Sequence, residues 1–195
     1  NPYLLGPNWK CGQEVSLRVI HFIFSLRLLG LGPAHLDGSQ VEFIQIHLDR
    51  ILPTLSYARG QKNNHWISEI AALFIGGVWL RNHHISRKKL YIEIAVKQLR
   101  LALKKLFNDD GSFAQSSFNY LRHALTLISI IKLESEVEGV DIKFDKKIEK
   151  TRFSEIQKMY MNILHNSSID KVLSLSRSFF NSIQIHSTSI FLKQK

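Results

Sequence analysis

Residues 111–123 (GSFAQSSFNYLRH) carry the most distinctive side-chain chemistry of the chain. A glycine at 111 after two aspartates favours a turn, because glycine adopts backbone conformations that other residues avoid. Ser116 and Ser117 then offer hydroxyl groups to the free N–H groups of a helix, whose apolar positions run from Phe118 to Ile131. The sequence therefore predicts that a new helix begins at this point.

An amide, a phenol and a guanidinium occupy the first turns of this predicted helix, at Asn119, Tyr120 and Arg122. Free N–H groups and the positive end of the helix dipole favour a bound anion there. His123 follows Tyr120 by three residues and falls on a similar helix face. The amide, the phenol and the guanidinium are candidates for binding an acidic ligand. The alternative is that Tyr120 simply packs, half buried, against the preceding loop.

A second cluster is Asn63-Asn64-His65, with Glu69 four residues after the histidine. A histidine and a glutamate at this spacing share a helix face, so the carboxylate could orient the imidazole or contribute half of a metal site. Two ligands do not make a metal site, and no zinc-protease signature is present, so no metal or cofactor is predicted. The alternative is that the asparagines cap a helix and His65 is solvated.

A third cluster combines Trp9 with Glu14 and Arg18, which are also four residues apart. The spacing predicts an intrahelical ion pair beneath an aromatic platform. Such a platform suits the C–H face of a sugar ring, although plain packing explains it equally well.

The composition fits one domain with a sizeable core: 195 residues, of which 45% are apolar. The net charge of +10 points to an anionic partner. A single cysteine, Cys11, excludes an internal disulfide and any multi-cysteine zinc site. Basic residues interrupt the most apolar run, 15–29, so no membrane span is predicted.

The chain has no initiating methionine and no leader sequence. We therefore expect it to be part of a longer protein. The sequence does not fix the compartment, which would be the periplasm or cell envelope if the parent protein carries a leader.

Apolar periodicity predicts an all-α protein of antiparallel helical hairpins. A Gly-Leu-Gly-Pro run at 30–33 ends the first helix, and the pattern Ser39-Gln-Val-Glu42 predicts a capping box for the second. Small residues at 71, 72, 76 and 77 predict close helix packing. The predicted helices span residues 12–29, 39–53, 63–81, 86–107, 118–131 and 146–164, with a possible seventh at 169–180.

The three polar clusters recur at a nearly constant interval along the chain. Trp9 and His65 are 56 residues apart, and His65 and Tyr120 are 55 apart. A period of two helices is typical of hairpins that build a toroid or solenoid. If alternate helices run the same way, the starts of the first, third and fifth share one face, and the three clusters form one candidate site.

Three blocks of sequence together resemble the heparinase II/III-like polysaccharide lyases. They are GPNW…EVSLR (6–18), NNHWISEIAALFIGG (63–77) and DGSFAQSSFNY (110–120). The resemblance covers about residues 1–135 and implies an incomplete α/α toroid there, with residues 136–195 as a helical continuation and a poorly specified tail. It also implies cleavage of an acidic, uronate-containing polysaccharide by β-elimination.

In the mechanism that this resemblance implies, Asn64 neutralises the uronate carboxylate, and Tyr120 serves as acid or base. Trp9, His65, Arg122, His123 and Asn119 would contact the substrate. This chain has Leu121 where the family usually has histidine.

The resemblance further implies additional hairpins and a β-sandwich that contributes another catalytic histidine, and residues 166–195 resemble neither. We therefore expect a fragment, or the product of an interrupted gene, that is inactive by itself. A non-catalytic carbohydrate-binding or scaffold protein is the alternative. A nucleic-acid binder is not expected, because no recognition motif accompanies the basic helix at 86–107.

Overall fold

A computed structural model describes residues 4–108, 113–140 and 142 of the chain. These residues form an all-α fold without strands, as the periodicity predicts. Three short 3-10 turns, Pro7–Trp9, Pro33–His35 and Leu52–Thr54, directly precede the first three α-helices. The α-helices are α1 (Gly12–Leu28), α2 (Gly38–Ile51), α3 (Leu55–Gln61), α4 (Asn64–Leu80), α5 (Lys88–Leu106) and α6 (Phe118–Val137).

Helix α4 lies at the centre of the fold and packs against each of the other five α-helices. All of its residues except His65 are buried, because its sequence is apolar on every side. Trp66, Phe74 and Trp79 are among the largest fully buried side chains. A Cβ atom added at Gly76 would lie only 2.9 Å from the side chain of Leu48 in α2. The predicted role of this glycine in close packing is therefore confirmed.

Helices α1, α4 and α6 run in the same direction. At their starts, the backbone N–H of Asn64 donates to Gln115 Oε1 at 2.8 Å, directly before α6. At their ends, Arg27 of α1 and Trp79 of α4 both reach Glu134 of α6. The matching order of contacts along the helices requires parallel directions.

Helices α2 and α5 run the opposite way. Arg50, near the end of α2, donates to the carbonyl oxygen of Trp9, just before α1. Gly77, near the end of α4, lies against Tyr91 near the start of α5. Helices α1 and α4 are thus each paired with an antiparallel helix that follows in the chain, α2 and α5, in agreement with the predicted hairpins. Closure of such hairpins into a toroid stays a prediction.

An ionic cluster joins the ends of the three parallel helices. The guanidinium of Arg27 binds Glu134 at 2.8 Å and also pairs with Glu138, which Arg81 of α4 binds at 2.9 Å. Arg27 additionally lies over the ring of Trp79, 4.9 Å from its centroid. Both glutamates lie near the negative end of the α6 dipole, so the two arginines offset an otherwise unfavourable placement.

Several element boundaries differ from the sequence prediction. Helix α2 begins at Gly38, and its capping box consists of Asp37 and Gln40 rather than Ser39 and Glu42. The aspartate accepts from the Gln40 N–H while the glutamine side chain accepts from the Asp37 N–H, which satisfies two free donors. The Ser39 hydroxyl donates to the same carboxylate.

The sequence does not predict α3, because Pro53, the last residue of the predicted helix 39–53, is typical of a helix end. In the structure Pro53 lies in the first turn of a 3-10 segment that leads into α3. Proline is tolerated in a first turn, where its missing N–H has no partner to lose. The predicted helices at 146–164 and 169–180, and most of the predicted segment 136–195, lie outside the described residues.

We predict that Arg27→Met lowers the free energy of unfolding by about 3 kcal/mol, because it leaves two largely buried glutamates without one of their counter-charges. Chemical denaturation measures this change. Adding Glu134→Gln to the same chain should recover part of the loss.

The matched control is Arg87→Met, which removes a more exposed ion pair with Asp49. That variant should cost less than about 1 kcal/mol. Equal losses in the two arginine variants would contradict a special role for the cluster at the helix ends.

Candidate functional site

The first turn of α4 and the start of α6 lie side by side. Besides the Asn64–Gln115 hydrogen bond, His123 Nε2 of α6 lies 2.9 Å from Ser68 Oγ of α4. Asn64 therefore lies at the same end of the molecule as the turn that carries Tyr120. Two of the three sequence clusters are brought together.

Neutral amides satisfy the free donors at the start of α4. Asn63 is the N-cap, and its Oδ1 accepts from the His65 N–H at 3.0 Å. Gln115 supplies the second acceptor, at the Asn64 N–H. The predicted capping role of the asparagines holds for Asn63, and no acidic residue lies in the first turn of α4. The groups that cap the positive end of the α4 dipole are therefore uncharged, and the carboxylate that acts on His65 comes from Glu14 in α1.

The first turn of α6 presents its polar side chains to solvent. Asn119 and Arg122 are exposed, and Tyr120 is 36% exposed. The contact from Arg122 Nη2 to Asn119 Oδ1 is long, at 3.4 Å. Ser117 is the N-cap by position but makes no side-chain capping bond, contrary to the sequence prediction. The side chains of Asn119, Tyr120 and Arg122 are therefore available to a ligand from solution.

His123 is buried rather than available to substrate, which corrects its predicted binding role. Only 2% of its surface is exposed. The Ser68 hydroxyl lies within hydrogen-bond distance of both His123 Nε2, at 2.9 Å, and the Asn64 carbonyl oxygen, at 3.1 Å. Because successive helical residues are about 100° apart, His123 lies about 60° around α6 from Tyr120, which is enough for its imidazole to contact Ser68 of α4 while Tyr120 keeps exposed surface. His123 thus joins two helices beneath the candidate site.

Two histidines from other helices, His65 of α4 and His21 of α1, lie within electrostatic reach of His123. Burial lowers the pKa of His123 to about 4, and charge on His65 or His21 would disfavour its protonation further. Burial likewise lowers the pKa of His21 to about 4. For His65, half-buried at the site, burial lowers the pKa and the nearby Glu14 carboxylate partly offsets this. All three are therefore neutral at pH 7.

Glu69 is a buried carboxyl group that faces α1. It is 3% exposed, and a Cβ atom at Gly12 would clash with its Oε1. Burial raises the pKa of Glu69 to about 8, although Arg50 acts in the opposite direction. Its Oε2 makes no hydrogen bond within the described residues, so the predicted His65–Glu69 pair does not form as a hydrogen bond. Among those residues no group of three or more potential ligands could hold a metal ion.

The third cluster is packed rather than open. Arg18 donates to the Asn8 carbonyl at 2.6 Å and lies over the Trp9 ring, 5.5 Å from its centroid. No ion pair in the described part of the chain joins Glu14 to Arg18, so that predicted pair is wrong. The tryptophan ring also contacts buried His47, at 4.9 Å between centroids. Trp9 is only partly buried and keeps some surface for a ligand.

Sequence patterns do not identify two residues of this site. Gln115 is part of a sequence motif, and in the structure its side chain joins two helix starts. Ser68 is not predicted, because a serine inside a helix gives no signal of a distant partner. Only the assembled fold brings it to His123.

Comparison of the chain with models of known protein families, with curated proteins and with solved structures finds no match. Within the described residues, no helix combines the length and apolar character needed to cross a membrane.

Glu69 and the buried histidines predict opposite pH effects on stability. Between pH 4.5 and about 8 the folded chain keeps a proton on Glu69 that the unfolded chain releases, so the free energy of unfolding falls as pH rises. Between pH 6.5 and about 4, His21 and His123 are protonated in the unfolded chain but stay neutral in the folded chain. The free energy of unfolding therefore falls as pH drops through this range.

We predict that Glu69→Gln stabilises the protein relative to the unmodified chain by about 2–4 kcal/mol more at pH 8 than at pH 4. Denaturant unfolding at both pH values measures this difference. Glu42→Gln, at an exposed position of α2, is the control and should show no such trend. An effect of Glu69→Gln that is independent of pH would contradict the protonated state of this carboxyl.

Proposed function

We propose that this helical array is the substrate-binding part of a polysaccharide lyase that cleaves an acidic, uronate-containing glycan by β-elimination. The observation that carries the proposal is the hydrogen bond between Asn64 and Gln115. It joins the start of α4 to the segment before Tyr120, so residues that the family resemblance assigns to one reaction lie at one end of the fold. The net charge of +10 favours an acidic glycan.

The proposed reaction is elimination across C4 and C5 of the uronate. A base removes the C5 proton, the electron pair forms the C4=C5 double bond, and the C4–O4 bond breaks with O4 leaving as a protonated alcohol. Charge develops on the carboxylate as the C5 proton departs. Neutral hydrogen-bond donors near that carboxylate stabilise the developing charge, because they donate hydrogen bonds to it without transferring a proton.

In this mechanism Asn64 and the neutral imidazole of His65 stabilise the carboxylate, and the exposed phenol of Tyr120 serves as acid or base. Arg122 and Asn119 bind neighbouring groups of the acidic chain from the first turn of α6. Trp9 contributes a partly buried ring at the edge of the site. The resemblance also implies a catalytic histidine from a β-sandwich, so we expect turnover only in a protein that contains this domain.

A non-catalytic glycan-binding protein is the second candidate function. Two observations favour it: Asn64 is only 5% exposed, and Leu121 occupies the position where the resemblance implies histidine. His123 is buried against Ser68 and cannot replace that histidine at the surface. This candidate predicts that acidic glycans bind without forming a double bond.

We predict that Tyr120→Phe lowers kcat of the full-length protein on its uronate glycan at least about 100-fold, because the phenol proton is lost from the reaction. Ultraviolet absorbance of the unsaturated uronate measures turnover. The matched control is Tyr57→Phe, at a 72% exposed tyrosine on α3, which should keep full activity.

Unchanged turnover in Tyr120→Phe would remove Tyr120 from the mechanism. Binding of uronate glycans by the full-length protein without any unsaturated product would contradict the lyase and support the non-catalytic candidate.

A further inference from the structure

The segment directly before α6 is fixed to the end of α5. The Ala114 N–H donates to the Leu106 carbonyl at 2.8 Å. Phe113 pairs with Phe107 in an isolated antiparallel bridge, and their rings lie 5.2 Å apart. Phe113 is buried, so this side of the segment is part of the core.

Gln115 connects the same segment to α4. Its side-chain Oε1 accepts the Asn64 N–H at 2.8 Å, and its own carbonyl accepts the Ser117 N–H at 2.7 Å. One residue therefore holds both the first turn of α4 and the turn that leads into α6. Because Asn64 is buried, its N–H would lose its acceptor without gaining water if the glutamine side chain were removed.

The acceptor at this position is an amide, although a carboxylate would suit a helix start better. An anion gains energy from the positive end of the helix dipole, which an amide oxygen gains only weakly. With Gln115 and Asn63 as the acceptors, the donors of the first turn of α4 are satisfied by uncharged amides, and the carboxylate that acts on His65 is that of Glu14 in α1. A carboxylate here would repel an acidic ligand.

We infer that Gln115 is a positioning residue: it fixes the start of α6, and so Tyr120, against Asn64, and its neutrality keeps the site open to an acidic sugar. The inference rests on the proposed function, since it assigns Gln115 a part in that reaction. It separates two properties of one side chain, the hydrogen bond and the absence of charge.

The experiment compares two variants at this position in the full-length protein. Gln115→Ala removes the hydrogen bond, whereas Gln115→Glu keeps an acceptor oxygen and adds a charge. The matched control is Gln98→Ala on α5, where the glutamine oxygen has no hydrogen-bond partner within the described residues.

We predict that Gln115→Ala lowers kcat about 10- to 100-fold, because Tyr120 is no longer held in place. Gln115→Glu should keep kcat and raise KM for the acidic glycan about tenfold, an effect that added salt reduces. Gln98→Ala should leave both constants unchanged. Unchanged kcat in Gln115→Ala, or an equal loss of kcat in Gln115→Glu, would overturn the inference.

Amide hydrogen exchange at Asn64 separates this inference from the lyase proposal. If the unmodified protein forms no unsaturated product, the proposed function fails. The rate of hydrogen exchange at the Asn64 N–H then still tests whether Gln115 is a positioning residue. Faster exchange of the Asn64 N–H in Gln115→Ala than in Gln115→Glu and Gln98→Ala supports it. Equal exchange in all three variants overturns it.

Discussion

Burial of every residue of α4 except His65 constrains the arrangement of the other helices. A helix that is apolar on all sides is stable in water only when neighbours cover its whole circumference. Gly76 and Gly77 allow α2 and α5 to approach closely, and α1 and α6 cover the remaining sides. Helices α2 and α5 are antiparallel to α4. Helix α1 precedes α2 and helix α6 follows α5 in the chain, and both are parallel to α4. The shared end of the three parallel helices is therefore a consequence of the packing around α4.

The two ends of these parallel helices differ in a way that suits different tasks. At their ends Arg27 and Arg81 meet the carboxylates of Glu134 and Glu138, so opposite charges neutralise one another. At their starts the structure has neutral amides and neutral histidines, with Arg122 exposed nearby. The charges at the first end pair with one another and hold the helices together, whereas at the second end the exposed side chains of Arg122 and Glu14 form no ion pair within the described residues.

The sequence predicted what depends on local pattern and missed what depends on contacts distant in the chain. Apolar periodicity and glycine signals predicted the long helices and the start of α6. Pro53 does not predict α3, because a proline is compatible both with the end of one helix and with the first turn of the next. The burial of His123 depends on which face of α6 meets α4, and Arg18 pairs with the Asn8 carbonyl instead of Glu14 because the preceding turn folds back over α1. Neither contact has a local signature.

The parallel course of α1 and α6 beside α4 is the central claim, and distances between paired spin labels test it most directly. In a Cys11→Ser background, labels at the exposed positions Glu14 and Asn119 mark the helix starts, and labels at Leu28 and Val137 mark the ends. Helices of this length span roughly 25–30 Å, so the crossed pair Glu14–Val137 should be longer than both matched pairs by more than about 10 Å. A crossed distance equal to or shorter than the matched ones would contradict the account.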